Sequence, residues 1–160
     1  MYEKILVPLD GSELAETALP YAEELAGRLG SEITLLYCCE SAGCQYRRVH
    51  ESYIQKMAED VKQGAERNLG KLVAKEVKVG SEVLVGHPAE KVVDYADEKN
   101  IGLIVMSTHG RTGIGRWALG SIAYKVVEAV TQPVALIRAK GGRPDMREKD
   151  ILDKALVPLD

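Results

Sequence analysis

The 160-residue sequence contains no phenylalanine and a single tryptophan, and aromatic residues make up only 5% of it. A core built from this chain has to be aliphatic, assembled from Val, Ile, Leu and Ala. No apolar stretch approaches the ~20 uncharged residues that a membrane-spanning helix requires. The opening Met1-Tyr2-Glu3-Lys4 leads into a short apolar run without a basic n-region or a cleavage site, so a cytoplasmic protein with no membrane partner is expected. Cysteine is sparse: Cys38, Cys39 and Cys44 fall within seven residues, form no C-x-x-C pair, and have His50 as their nearest histidine. That pattern points to free thiols in a reducing compartment and to no metal site. The formal charge is -3 with the basic residues dispersed, which excludes the positive field that a nucleic-acid partner would select.

What remains is 46% apolar and 28% charged residues, the composition of one folded domain. Lys4 to Val7 is a short apolar strand that stops at Pro8. From Ser12 as N-cap, apolar residues recur near the 3.6 period to Leu29, with Pro20 kinking the helix and Gly30 ending it. Glu32 to Cys38 reads as a buried strand, followed by fourteen polar, irregular residues and a helix from about Tyr53 to Val73 with Ile54, Met57, Val61 and Ala65 on one face. Val77 to Val85 is a strand, and Pro88 opens a helix that runs to Asn100. Leu103 to Met106 is apolar throughout, as in a strand covered on both faces. Ser121 is expected to cap a last helix, with Ile122, Ala123, Val126, Val127 and Val130 inward, and Val134 to Ile137 is the fifth strand. Five strands alternating with helices give an α/β fold, an open doubly wound parallel sheet with helices on both faces.

In such a sheet ligands bind outside the carboxyl ends of the strands, where the winding reverses. Two post-strand loops carry unusual chemistry, Pro8 to Ser12 and Ser107 to Ser121. The second has four glycines between Gly110 and Gly120 and ends at a helix N-terminus, where main-chain donors and the helix dipole favour an anion such as phosphate. The alternative is a flexible surface loop. Arg111 and Arg116 would add charge. A Walker A loop needs Lys and then Ser or Thr where Arg116 and Trp117 stand, and the dinucleotide G-x-G-x-x-G belongs after the first strand, so neither device is present. Asp10 suits either the ribose hydroxyls of a nucleotide or the capping of the first helix. His109 either touches phosphate or orders the loop. His50 and His87 are read as solvated. A valine at Gly120 is expected to fill the phosphate position. No base and no second acidic cluster accompany the loop, so no catalytic residue is assigned.

The segments Lys4-Ile5-Leu6-Val7-Pro8-Leu9-Asp10-Gly11-Ser12, Gly86-His87-Pro88-Ala89, Ser107-Thr108-His109-Gly110-Arg111-Thr112-Gly113 and Leu119-Gly120-Ser121 resemble, in order, the universal stress protein family across residues 2 to about 138. The resemblance implies a five-stranded sheet of order 3-2-1-4-5. Its ATP-binding branch carries G-x-x-G, nine residues, then Gly followed by Ser or Thr. Gly110, the nine residues Arg111 to Leu119, and Gly120-Ser121 match the later part, with Ser107 in place of the first glycine. On this resemblance Asp10 holds ribose, Pro8, Cys38 and Met106 border adenine, and Ser107, His109, Gly110, Gly120, Ser121 and Ile122 surround the phosphates of ATP, with Mg²⁺ brought by the nucleotide. The resemblance also implies a homodimer through the fifth strand, Val134 to Ile137, whose apolar edge needs cover in any case.

The domain organisation expected is therefore a nucleotide-binding domain over 1–138, a polar linker over 139–153, and a fragment over 154–160. In the last, Lys154-Ala155-Leu156-Val157-Pro158-Leu159-Asp160 repeats Lys4 to Asp10 at six of seven positions, as the first strand of a truncated second copy or a strand exchanged between partners. The expected function is a stress-response regulator that binds ATP and signals through nucleotide-dependent conformation or dimerisation. The alternatives are a nucleotide-free dimeric interaction module of the same fold and a slow ATPase.

Overall fold

The computed structural model describes residues 2–40, 45–69, 77–110 and 119–138. The middle of the glycine-rich loop, residues 111–118 with Arg111 and Arg116, therefore lies outside the described residues, as do Cys44, the linker and the repeated segment. In chain order the elements are β1 (Lys4–Leu9), α1 (Glu13–Glu16), α2 (Leu19–Leu29), β2 (Glu32–Cys39), α3 (Arg47–Leu69), β3 (Val79–Val85), α4 (Pro88–Glu98), β4 (Leu103–Ser107), α5 (Ser121–Ala129) and β5 (Val134–Ile137). The strands form one five-stranded sheet, all parallel, in the order β3-β2-β1-β4-β5. No helix among the described residues is long and apolar enough to cross a membrane.

Alternation along the strands separates two aliphatic cores. Ile5, Val7 and Leu9 of β1, with Ile33, Leu35 and Tyr37 of β2, pack against α1, α2 and the Ile54, Met57, Val61 and Ala65 stripe of α3. Leu6, Leu36, Ile104 and Met106 point the other way, against Val92, Tyr95 and Ala96 of α4 and Ala123 and Val126 of α5.

Several boundaries differ from those expected, each for a physical reason. β1 does not stop at Pro8 but runs to Leu9, with Pro8 paired to Leu36 of β2. On its other side the β1–β4 ladder runs through Ile5↔Leu103 and Leu6↔Ile104 and goes no further, so the missing proline donor falls where that ladder has already ended. The helix expected to kink at Pro20 is two helices. Thr17 Oγ1 donates to the Leu14 carbonyl (2.6 Å) where α1 ends, and Pro20 sits in the first turn of α2, where no intrahelical donor is needed. α3 begins at Arg47, six residues before Tyr53. Ser121 is the first residue of α5 and Gly120 its N-cap. Val127 is 41% exposed, not inward.

Glu23 of α2 is buried at 2% exposure inside the larger core, against Gly64 of α3. A Cβ on Gly64 would lie 2.5 Å from Glu23 Oε2. Alanine normally stabilises a helix interior relative to glycine by ~1 kcal/mol, but here the crowded carboxylate has no solvent to move into. Gly64→Ala is therefore expected to destabilise the fold by about 1 to 3 kcal/mol, read as a lower urea midpoint. A gain in stability would show that the two helices do not meet at this glycine.

Candidate functional site

The central strands part at the point where the winding reverses. Beyond Leu6 and Ile104, β1 continues to Leu9 and β4 to Ser107 without pairing to each other. Between their ends opens a cavity of about 690 Å³, within the range of small-molecule sites. The ten residues that the resemblance assigns to the site line it: Pro8 and Asp10 from β1 and its loop, Cys38 from β2, Met106 and Ser107 from β4, His109 and Gly110 from the following loop, and Gly120, Ser121 and Ile122 at the start of α5.

The β1 loop resolves what Asp10 does locally. Its Oδ1 accepts hydrogen bonds from the Ser12 main-chain N–H (3.0 Å) and from Ser12 Oγ (2.6 Å), across a turn that Gly11 makes at φ 80°. Ser12 Oγ in turn accepts from Ala15 N–H (3.2 Å) and caps α1. Ser12 is thus the cap, and Asp10 is the residue that aims it while presenting its carboxylate to the cavity. Gly110 stands directly against that carboxylate: a Cβ there would come 2.2 Å from Asp10 Oδ2. The two sequence-distant loops therefore meet.

The ends of the glycine-rich loop are tied by main-chain bonds. Thr108 N–H donates to the Ile137 carbonyl of β5 (2.8 Å), Gly120 N–H to the Thr108 carbonyl (2.8 Å), and Tyr124 N–H to the Gly120 carbonyl (2.8 Å). Gly120 N–H is consequently committed to the loop. The donors left without an intrahelical acceptor at the start of α5 are those of Ser121, Ile122 and Ala123, and all three residues line the cavity. A Cβ on Gly120 would meet the Thr108 carbonyl oxygen at 3.0 Å and His109 Cα at 3.6 Å. A valine there presses first on the loop's own backbone, which replaces the expectation that it simply fills a phosphate position. Ser107 is buried, and its Oγ accepts from His109 N–H (3.4 Å). His109 Nδ1 and Thr108 Oγ1 are hydrogen-bonded at 3.0 Å, so one ring nitrogen of His109 orders the loop.

The cavity straddles the rim of the sheet. On the α4–α5 side its wall is Leu36, Pro88, Val92, Met106, Ile122 and Ala123 beside Cys38; on the α1–α3 side it is Ala15, Tyr37, Cys39, Tyr46 and His50. Burial, then the neighbouring Cys39 thiol, pushes Cys38 up to about 12, so it is a neutral wall at physiological pH. His50 stacks on Tyr37 with ring centroids 4.4 Å apart. Neither His50 nor His87 is solvated as expected; both are half-buried, and each has a buried Nδ1 without a hydrogen-bond partner among the described residues. The α3 flank lies outside the loops that follow the first and fourth strands, where the crevice rule places a ligand. His50 lies four residues before Ile54 on the buried stripe of α3, and that spacing marks it as inward. No cluster of three or more His, Cys, Asp or Glu suited to a metal ion occurs among the described residues.

A family model described as "Universal stress protein family" matches residues 1–138. The chain is 32% identical over 142 residues to universal stress protein MJ0531 of Methanocaldococcus jannaschii, covering 86% of this chain and 83% of that one. Its backbone superposes on the solved structure of MJ0577 from the same organism with a TM-score of 0.64 at 28% identity, over 89% of this chain and 99% of that one. The universal stress protein from Archaeoglobus fulgidus solved in complex with dAMP shares the fold at a TM-score of 0.60 and 22% identity, over 84% and 97% of the two chains. Sheet order, the rim crevice and a match spanning the whole described domain agree: the chain belongs to the universal stress protein family.

Proposed function

We propose that this protein binds ATP, carried with Mg²⁺, in the rim cavity, and that the bound nucleotide biases a conformation or a dimer that other proteins sense. The observation that carries the reading is the convergence, in one cavity, of an apolar slot, a carboxylate and a helix N-terminus. Pro8, Cys38 and Met106 supply the apolar faces for adenine. Asp10 would accept from the ribose hydroxyls. Ser107, His109, Gly110, Gly120, Ser121 and Ile122 would surround the phosphates, with the N–H groups of Ser121 and Ile122 and the dipole of α5 as donors. Bound Mg²⁺ would offset phosphate charge. That a relative of the same fold was solved with dAMP supports an adenine nucleotide as the ligand class.

The expected partner copy joins through β5. Of the two edge strands, β3 carries Gly80 and Glu82, whereas β5 reads Val-Ala-Leu-Ile, with Leu136 39% exposed. An apolar edge needs cover. Because Thr108 N–H is bonded to Ile137, the glycine-rich loop is attached directly to that edge.

Acid extraction of the purified protein followed by chromatography should release a stoichiometric adenine nucleotide, chiefly ATP. No nucleotide, even after incubation with Mg-ATP, would leave a nucleotide-free interaction module, and ADP accumulating with turnover would make the protein an ATPase. Asp10→Ala should weaken ATP binding by roughly 10- to 100-fold, the loss of a hydrogen bond to a charged group, measured by calorimetry. It should also lower stability by about 1 kcal/mol as the Ser12 cap loses its support. Leu136→Asp should convert a dimer to a monomer in sedimentation velocity while the monomer stays folded; an unchanged sedimentation coefficient places the interface elsewhere.

A further inference from the structure

Three ring-bearing side chains line the cavity on its α3 flank, Tyr37, Tyr46 and His50, and two of them are occupied with each other. Tyr37 is buried and carries the His50 ring on its face, with centroids 4.4 Å apart, while Tyr53 meets Tyr37 edge-on at 6.0 Å. Tyr46 is placed differently. It stands immediately before α3, one helical turn ahead of His50, is 58% exposed, and stacks on no other ring among the described residues. A single exposed tyrosine is ordinary on a protein surface. One that also forms the wall of a cavity has a use, because a ligand filling the cavity takes that ring out of water.

Chemistry decides which part of a ligand this wall suits. The slot of Pro8, Cys38 and Met106 lies on the α4–α5 side of the sheet: Cys38 and Met106 pack with that core, and Pro8 alternates onto the same side as Leu6. A planar base resting there has one face covered, and its other face looks toward the rest of the cavity, whose opposite wall is the α3 flank. That flank contributes no lysine or arginine to the described lining, and Glu40, just past β2, adds a carboxylate, so nothing on it draws a phosphate. A tyrosine ring offers a flat apolar face instead, and such a face stacks on any nucleobase.

We propose that Tyr46 stacks on the base of the bound nucleotide, covering the face that Pro8, Cys38 and Met106 leave open. The turn that opens α3 thus supplies a wall of the site in addition to the two rim loops. The proposal rests on the nucleotide reading above, and calorimetry with ATP on the unmodified protein, Tyr46→Ala and Tyr46→Phe separates the two. Tyr46→Ala is expected to weaken ATP roughly 5- to 100-fold, while Tyr46→Phe, which keeps the ring and loses the hydroxyl, retains most of the affinity. Equal affinities in all three proteins, or an equal loss in both variants, overturn the stacking role and leave the nucleotide reading standing. An unmodified protein that does not bind ATP overturns both. Proton spectra of the unmodified protein test the contact without any substitution: saturating ATP is expected to move the Tyr46 ring resonances upfield, as the ring current of a stacked base requires, and unmoved resonances refute it.

Discussion

The functional architecture depends on the separation of β1 and β4. They pair over two residues each, Ile5 with Leu103 and Leu6 with Ile104, and then each follows its outer neighbour. β1 stays with β2 as far as Leu9↔Tyr37, and β4 stays with β5 as far as Ser107↔Ile137. The crossovers that leave these strands turn to opposite faces of the sheet, β1 toward α1 and α2, β4 toward α5. Among the described residues neither connection covers the gap between the two ends. The cavity is therefore a consequence of topology, and the chemistry it offers is set by whichever residues stand at the ends of those strands.

The described parts of the rim are tied by local hydrogen bonds. Asp10, Ser12 and Ala15 form a relay from carboxylate to hydroxyl to helix start. Thr108 and Gly120 close the base of the glycine-rich loop with main-chain bonds. At Gly110 these two assemblies touch, and it has no room for a side chain. On the nucleotide reading, an anion held here would rely on backbone donors, and its recognition would be geometric, in contrast to a lysine that reaches for a phosphate on a flexible stem.

Much of this was legible in the sequence because the strong signals are periodic. The apolar strands, the 3.6-residue stripes of α2, α3 and α4, and the glycine spacing all reflect burial or close approach, and the doubly wound class with a rim crevice follows from them, whereas the sheet order is implied by the family resemblance. The misreadings share a cause: a residue's effect depends on which bond it interrupts. Pro8 and Pro20 look like breakers, yet one falls where a ladder has ended and the other in a first helical turn. The start of α3 was hidden because Arg47, Arg48, Val49 and Ser52 face solvent, leaving His50 as an inward residue of polar type in a polar run. Apolarity alone predicts Val127 inward, but α5 is nine residues long and buries only Ala123 and Val126. The commitment of Gly120 N–H to Thr108 is a tertiary bond that no spacing announces.

The position of the cavity also constrains any regulatory use of it. Its walls come from both cores: Ala15, Tyr37 and Cys39 belong to the one beneath α1 to α3, and Leu36, Val92, Met106 and Ala123 to the one beneath α4 and α5. A ligand filling it adds contacts between two layers that the sheet otherwise keeps apart, and so favours whichever conformation holds them in register. At a hundredfold excess over Kd, one such site biases an equilibrium by about 2.7 kcal/mol. Carrying a two-state switch from 1:99 to 99:1 takes about 5.5 kcal/mol. One occupied cavity thus gives a graded response, while two coupled cavities, at about 5.4 kcal/mol together, nearly suffice for a decisive one. On the nucleotide reading, this is the physical case for a dimer whose edge strand is bonded, through Ile137 and Thr108, to the start of the glycine-rich loop.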